Sequence, residues 1–520
     1  VTDSAIERTG GGLRDRAAGS RLGTARFRGI AWPLIVAAMV FDFVVVAWGR
    51  AFSSDTWITL TAGRFIAQHG LPHTDTLSVA AHGRPWIDQQ WLAQVLYYHA
   101  WLLGGNAAVS ALSALAIGIA AAILAAILLR RGTPPMLMLV IVLSGPLLEL
   151  LFFAETRAQS FAYPLFAGLL YLIFDDLDRD RFDRRLLLAL PLLVLWANLH
   201  GSVLMGAGIF AAVCGWRSLD SMRQGRRPDA ARYLALAGAA VLTPLVTPYG
   251  GDIVGYYNRL MTDPALHVIA EWQPGSFALS DLPFALVGLT GLATLAYAAG
   301  RGIRLPGVQI AGLAILGLLG AYTVRYQVWF ALAAAPVLAK VLTELRADRP
   351  AGQPFGGRLA RPCAAALIAA TIGSIALVAS SRPAQYTRAV STTAVDGAAR
   401  YALAHPGSRV LADDVTGSAL LWAYPQLAGR VGYDSRTEIY QPSGFLAFAH
   451  YLSVAGTDWM RPAHGYRVLS VTCDYHPTLC PALAALPAWR VVANSDGGMV
   501  LVRRGLAAQP HNGPIATNVQ

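Results

Sequence analysis

The chain is poor in charge. Asp, Glu, Lys and Arg make up 14% of its 520 residues, while 55% are hydrophobic and mean hydropathy is +0.46. Soluble domains carry roughly 25% charged residues, so this shortage excludes a soluble enzyme and marks a polytopic membrane protein. Cysteine is scarce as well, and four are too few for a disulfide scaffold. Cys214 and Cys363 fall in or beside apolar runs and read as inert. No Walker loop, G-x-S-x-G elbow or flanked dinucleotide fingerprint is present, which argues weakly against a soluble nucleotide-sugar donor. Repeats and low-complexity tracts are absent. The first apolar run, from about Ile30, is long enough to span and lacks a small-residue cleavage site, so no cleavable leader is expected. Basic residues exceed acidic ones, 41 to 30. Arginines in cytoplasmic loops account for that excess without nucleic acid.

What is abundant is apolar sequence in lengths that suit a bilayer, which needs ~20 residues per helix. Runs near 30–50, 108–129, 135–153, 159–174, 186–199, 203–216, 231–247, 282–299, 307–323, 325–343 and 363–381 give about 11 transmembrane helices. Arginines alternate between the loops. They crowd the tail 1–29, then Arg130 and Arg131, Arg179 to Arg185, Arg217 to Arg232, Arg301 and Arg304, and Arg346 to Arg361. The opposite loops beyond the first hold only Arg157, Arg259 and Arg325. This places the N-terminus in the cytoplasm and residues 382–505 outside. The short aromatic run 91–103, which contains His99, reads as a helix lying at the outer interface rather than a span. In the last part, strand-like runs such as RVLAD, RVVAN and GMVLVRR alternate with helix-like runs such as AVDGAARYALAHP. The expected architecture is a disordered basic tail 1–29, a membrane domain 30–381 with an outer loop 53–107, a small extracytoplasmic α/β domain 382–505, and a disordered tail 506–520. The setting is a bacterial inner membrane.

Polar residues in such a chain need a reason. The outer loop concentrates them: Asp55, Arg64, His73, Asp75, His82, Arg84 and Asp88. Asp55, in S-S-D-T-W directly outside the first span, suits a general base or a metal ligand. Ser53, Ser54 or Asp55 equally suits an N-cap for a helix starting at Trp57. Asp75 follows a Gly-Leu-Pro-His turn and is either a site acid or a turn residue. Asp88 is a site acid or the cap of the interfacial helix. No His/Cys pair here has zinc spacing, and no cofactor is certain. Two or three of these acids can still hold Mg²⁺ or Mn²⁺ with help from phosphate oxygens.

Further along, Glu155 and Arg157 stand at a span end, either functional or paired with each other. Asn198 and His200 break an apolar stretch at an outer turn. Tyr249 and Glu271-Trp272 mark a long outer loop, 247–273. Arg325 lies between two apolar runs, where a phosphate suits its planar fork; pairing with Glu155 or Glu271 is the alternative. Asp434, Arg436 and Glu438 alternate, as on the face of a solvated strand edge. Cys473 and Cys480 flank His476-Pro477, a turn that suits a disulfide; a metal pair with His476 is the alternative.

The order of these motifs resembles the GT-C superfamily of integral-membrane glycosyltransferases, which includes protein mannosyltransferases, aminoarabinose transferases and the oligosaccharyltransferase catalytic subunit. Asp55 matches the acid that follows the first span. Closer still are uncharacterised bacterial relatives with G-x-P-x-x-D-x-x-S (Gly70, Pro72, Asp75, Ser78), W-x-N-x-H-G (Trp196, Asn198, His200, Gly201), P-Y-G (Pro248, Tyr249, Gly250), E-W (Glu271, Trp272) and a late D-x-R (Asp434, Arg436). The resemblance runs over roughly 30–505. It departs in two places. The first acid stands alone, unlike the paired acids of protein mannosyltransferases, and the W-W-D signature of oligosaccharyltransferases is absent, so asparagine glycosylation is not expected.

The resemblance implies transfer of a sugar from a polyprenyl-phosphate-linked donor to an envelope glycan, lipid or protein acceptor, with inversion. Asp55 and Asp75 are then the candidate catalytic acids. Arg64, Asp88, Glu155, Arg157, Asn198, His200, Tyr249, Glu271 and Arg325 are the candidate substrate-binding set. A lipid-linked-saccharide flippase and a non-catalytic envelope scaffold are the competing classes. No inverted repeat favours the flippase, and the acids cluster in one loop rather than at mid-membrane.

Overall fold

The computed structural model describes residues 52–133, 156–263, 265, 268–269, 272–274, 282–303, 305–347 and 390–504. The predicted spans 30–50, 135–153 and 363–381, both tails, Glu155 and Glu271 lie outside the described residues.

The first described helix, α1, runs Ser54–His69, three residues earlier than the sequence suggests. Its N-terminus is set by the Ser53 N–H, which donates to Thr56 Oγ1 at 3.2 Å. Asp55 therefore sits in the first turn, where the helix dipole favours an anion. The next helix, α2, runs Trp91–Arg130 and is broken at Gly104 and Gly105, whose backbone is not helical. The glycine pair divides the aromatic run 91–103 from the apolar run behind it. Leu102 and Leu103 beside the break are exposed. Helices α1 and α2 cross closely because Gly63 has no side chain: a Cβ there would stand 2.2 Å from the Gln94 carbonyl oxygen.

The membrane portion continues through α3 (Ala162–Leu177), α4 (Ala189–Leu199), α5 (Val203–Arg223), α6 (Arg227–Leu242), α7 (Asp252–Thr262), α8 (Leu282–Gly300), α9 (Gly307–Tyr322) and α10 (Gln327–Ala347). Four described segments are long and apolar enough to cross a bilayer: Trp91–Arg130, Ala158–Leu177, Val203–Arg223 and Val324–Leu345. Among the described residues, the other runs read as spans form helices of 11 to 19 residues; α4 has 11, about 16 Å at 1.5 Å per residue. The bundle core is aromatic, with Phe166, Trp196 and Trp329 packed ring against ring at 5.3–6.1 Å. At one end of the bundle Arg130 and Arg179 pair with Asp175, and Arg217 pairs with Asp176. Three arginine groups that the sequence assigns to one side thus do share one end.

The C-terminal part is a four-stranded sheet of order β1-β2-β4-β3. Its strands are β1 (Val410–Ala412), β2 (Val468–Thr472), β3 (Trp489–Ser495) and β4 (Gly498–Arg503). β1 and β2 are parallel; the other pairs are antiparallel. Helices α11 (Thr392–Ala404) and α12 (Asp414–Ala423) are followed by α13 (Pro442–Ser453) and the short α14 (Leu479–Ala484). Cys473 and Cys480 are joined by a disulfide, with Cα atoms 5.7 Å apart.

The segment expected from sequence to be an outer loop belongs physically to this sheet domain. Val79 N–H donates to Val431 O at 2.7 Å, Ala80 N–H to Gly432 O at 3.1 Å, and Gly429 N–H to Leu77 O at 2.8 Å. Segment 429–432 in turn bonds Val410 of β1. One apolar core contains Trp57, Leu60, Leu77 and Trp86 from the loop side and Leu411, Leu420 and Phe448 from the domain side.

Candidate active site

The junction between the outer loop and the sheet domain gathers charge that the apolar surroundings would otherwise reject. The Asp75-to-Ser78 turn forms first. Asp75 accepts from Leu77 N at 3.3 Å, Ser78 N at 3.0 Å and Ser78 Oγ at 2.6 Å. This leaves Asp75 aimed at the sheet domain, where Arg436 meets it at 2.8 Å. Arg436 also makes a two-pronged contact with Asp434, at 3.0 and 2.6 Å, and lies over the Trp86 ring at 4.2 Å. All three charged groups are buried. Burial alone would raise the Asp75 carboxyl; Arg436 and Ser78 outweigh it and hold the group below the ordinary carboxylate range.

Asp434 and Arg436 are therefore not on a solvated strand edge. They lie in the turn before the short 3-10 helix Thr437–Ile439, where the Arg436 backbone and side chain both fold back onto Asp434. Asp75, a candidate catalytic acid by sequence, has both oxygens engaged inside this clamp.

Several candidate binding residues also act as structural ties. Arg64 donates to the carbonyls of Leu421 and Trp422 at the end of α12, at 2.8 and 2.9 Å, and lies 4.6 Å over the Trp422 ring. A guanidinium there complements the negative end of the helix dipole. Asn198 donates to Val194 O and Val246 O and accepts from Trp91 Nε1, each at 2.9 Å. Tyr249 donates to the Pro72 carbonyl at 3.0 Å. In each case the geometry commits the side chain to holding a turn or helix end.

The remaining candidates converge. Thr56 donates to the Thr156 carbonyl at 2.5 Å, which brings α1 beside the next segment. Asp55 then lies 3.9 Å from the Arg157 guanidinium. Arg157 is buried, but the Asp55 side chain is 44% exposed and so accessible to a ligand. His200, in the turn between α4 and α5, is buried and lies within the electrostatic reach of Arg325 and Arg157. Burial first, then those two cations, depress its basicity well below the usual imidazole range. Ser202 Oγ accepts from Trp196 Nε1 at 3.0 Å and faces His200 Nδ1 at 2.8 Å. The Ser202 backbone N–H also donates to Nδ1, at 3.2 Å, so Nδ1 is an acceptor and the neutral ring carries its proton on Nε2. Arg325 lies 5.2 Å over the Trp272 ring. Glu438, half-buried, lies near both Arg436 and Arg325; burial raises it above its ordinary range. Burial also pushes Asp88 up to about 7, with Arg436 opposing the rise and Glu438 adding to it.

Among the described residues, one trio has the geometry to hold a metal ion: Asp413, Asp414 and His476, with ligand atoms within 4.8 Å of one another. It lies in the sheet domain and does not include Asp55, Asp75 or Asp88. Asp413 already caps α12 through Thr416 N at 2.8 Å and accepts from Thr472 N at 2.7 Å. Burial, then Asp413, pushes Asp414 up to about 6. His476 is thus brought beside two acids, while the cysteines flanking it are joined to each other.

No protein-family model and no curated protein matches the chain. Solved structures do. The archaeal oligosaccharyltransferase AglB from Archaeoglobus fulgidus, in complex with an inhibitory peptide and a dolichol-phosphate, aligns over 91% of this chain and 74% of its own, at 12% identity and a TM-score of 0.51. The apo oligosaccharyltransferase of the same organism aligns over 85% and 69%, at 12% identity and a TM-score of 0.49. The fold is similar to that of this archaeal oligosaccharyltransferase.

The structure adds Trp86, Gln89, Gln94 and Tyr256, which is buried within electrostatic reach of Glu438, Arg325 and Asp88, to the residues that the sequence singles out. Gln94 had a readable signal, as the one amide in the aromatic-rich helical run W-L-A-Q-V-L-Y-Y. Glu438 had only its spacing from Arg436.

Proposed function

We propose that the chain is a membrane glycosyltransferase that moves a sugar from a polyprenyl-phosphate-linked donor to a hydroxyl acceptor at the outer membrane face. The observation that carries this reading is the juxtaposition of Asp55, an accessible carboxylate, with a group of phosphate-type ligands: Arg157, Arg325 and the neutral His200. The GT-C fold supports it.

In this mechanism Asp55 accepts the proton of the acceptor hydroxyl as its oxygen attacks the anomeric carbon. The bond from that carbon to the phosphate oxygen breaks, polyprenyl phosphate leaves, and configuration inverts. Negative charge grows on the departing phosphate. Arg157 and Arg325 face it as fixed cations, and His200 offers Nε2–H as a neutral donor. Groups held in place before the reaction need no rearrangement when charge develops. Asp75, Asp434 and Arg436 hold the outer loop on the sheet domain and so fix α1 and Asp55.

A divalent ion remains part of the proposal only as a companion to the donor phosphate. The described acids near Asp55 do not form a ligand trio, and Glu155 and Glu271 lie outside the described residues. The envelope acceptor, whether glycan, lipid or protein, and the outward orientation in a bacterial inner membrane belong to the same proposal.

The test is transfer by purified full-length protein given a panel of labelled polyprenyl-phosphate sugars. Asp55→Asn should fold, bind donor and lose ~10²–10⁴-fold in rate, as for removal of a general base. Normal turnover by that variant removes Asp55 from the mechanism. Movement of intact lipid-linked sugar across liposomes, without transfer, would instead establish a flippase.

A further inference from the structure

A cleft lies between α6 and the start of α4, at the arginine-rich end of the bundle. The short 3-10 helix Arg184–Leu188 leads into α4, and α6 begins at Arg227. The two walls run in the same direction, because Asn198 near the end of α4 donates to the Val246 carbonyl just past α6. On α6, Arg232, Ala235 and Ala239 stand at i, i+3 and i+7, one face of a helix. Two of the three are alanines, too short to fill the space toward Leu187 and Leu190 on the other wall. The cleft left between them measures about 490 Å³. Pockets that hold small molecules span about 300–1,000 Å³.

In both walls the arginine comes first and the apolar positions follow. Arg184 and Arg232 line the cleft. Arg232 pairs with Asp229 at 3.0 Å and lies 5.7 Å over the ring of Phe182, another wall residue. Arg184 is exposed and, among the described residues, has no ion-pair partner. Its neighbour Asp183 is already engaged by Arg179 at 3.0 Å and by the Arg185 N–H at 2.9 Å. Arg184 and Arg232, set against Asp229, leave a net positive charge at the entrance. From Arg232 the apolar face of α6 continues to Ala239, roughly 10 Å at 1.5 Å per residue. Leu187 of the wall and its neighbour Leu188 are exposed, as is Leu234 between two wall positions. In a membrane protein such leucines meet acyl chains, so the cleft opens toward lipid.

We propose that this cleft binds a monoanionic phospholipid, with its phosphodiester between Arg184 and Arg232 and an acyl chain along Leu187, Leu190, Ala235 and Ala239. A phosphodiester carries the one negative charge that the two arginines and Asp229 leave unmatched, and its free oxygens suit a guanidinium fork. A zwitterionic headgroup also brings a cation, which the arginines repel. Basic pockets between membrane helices hold anionic headgroups in this way. The group proposed to face the donor's phosphate is elsewhere: His200 ends α4 at its other terminus. The lipid site therefore goes beyond the proposed transfer reaction and stands without it.

The experiment titrates purified full-length protein in detergent with phosphatidylglycerol, phosphatidylcholine or polyprenyl phosphate and counts bound lipid by native mass spectrometry. Phosphatidylglycerol should bind more tightly than phosphatidylcholine. Arg184→Gln breaks no ion pair of the fold and should weaken phosphatidylglycerol binding roughly tenfold or more, the worth of a charge-assisted contact. Arg184→Lys should recover part of it. Ala239→Phe should fill the cleft and displace the lipid with both arginines in place. Arg223→Gln, which removes an exposed arginine outside the cleft, should leave binding unchanged. Equal affinity for phosphatidylcholine overturns the proposal, and so does phosphatidylglycerol binding that is indifferent to both Arg184→Gln and Ala239→Phe. An equal loss in Arg223→Gln overturns it too, because the attraction would then belong to the whole arginine-rich end. If polyprenyl phosphate is instead the lipid whose binding depends on Arg184 and Ala239, the occupant is the donor's lipid and the phospholipid site does not exist.

Discussion

Replacing Arg436 with Met removes the cation that two fully buried carboxylates share. Asp75 and Asp434 keep their burial and lose their counter-charge, and breaking a buried pair by removing one partner costs about 3–5 kcal/mol. The cost should fall on the junction, since the Asp75-to-Ser78 turn carries the backbone bonds at Leu77, Val79 and Ala80 that join the loop to 429–432. A loss of that size raises the population of the open junction roughly 10²–10³-fold or more. Hydrogen–deuterium exchange of peptides covering 77–80 and 429–432 reads this directly, with the Trp196–Ser202 turn of the bundle as the internal control.

The pH dependence should change sign. In the natural protein Asp75 is held below its ordinary range. Its contribution is present above the unfolded-state value near 3.8 and is lost only as pH falls through the depressed value. Between pH 6 and 8 junction protection should therefore be flat. Without Arg436, only the Ser78 hydrogen bonds oppose burial, so the carboxyl should rise and protection should decline as pH rises. Asp75→Asn in the same background removes the stranded charge and should restore part of the protection. Unchanged exchange at 77–80 in a folded Arg436→Met protein, at both pH values, would refute the clamp.

Asp88→Asn should be more stable than the natural protein above pH 7. A carboxyl raised from 3.8 to about 7 contributes stability that is full below the unfolded value and lost as pH rises through 7, a penalty on the order of 4 kcal/mol, so melting curves of the two proteins should diverge from pH 5 to 8. Arg325→Ala should weaken polyprenyl-phosphate binding by at least roughly tenfold, the worth of a charge-assisted contact, and equal affinity would move Arg325 to a structural role on Trp272. Cys473→Ser with Cys480→Ser should destabilise the sheet domain by about 2–3 kcal/mol in the chain-entropy view of so short a loop. Free labelling of both thiols in denatured, unreduced protein taken from an oxidising compartment would show that no bridge forms.

Local signals in this sequence were legible. Apolar runs mark the helices of the bundle because a bilayer tolerates nothing else, and RVLAD, RVVAN and GMVLVRR are strands β1, β3 and β4. The break at Gly104 and Gly105 falls between the run 91–103 and the apolar run 108–129, where the sequence reading also divides them. Strand β2 gives no alternation to read, because all five of its residues are buried in the middle of the sheet.

What the sequence could not supply is pairing across the chain. The same D-x-R spacing fits a strand face or a turn in which the arginine folds back onto its own neighbour. The choice depends on Asp75, which only the docked loop brings to Arg436. Burial decides the other roles in the same way. Asp55 and Asp75 are alike by sequence, each a loop acid near the first span. The fold closes one inside a clamp and leaves the other partly open beside Arg157, and the proposed mechanism accordingly gives the first a structural and the second a chemical role. That separation has a consequence for the site as a whole. The loop that carries Asp55 through α1 also carries Asp88, Gln89 and Gln94, and its grip on the sheet domain depends on Arg436. Loosening the clamp should therefore slow the proposed proton transfer through the placement of α1, with Arg436 acting on Asp55 by way of the loop.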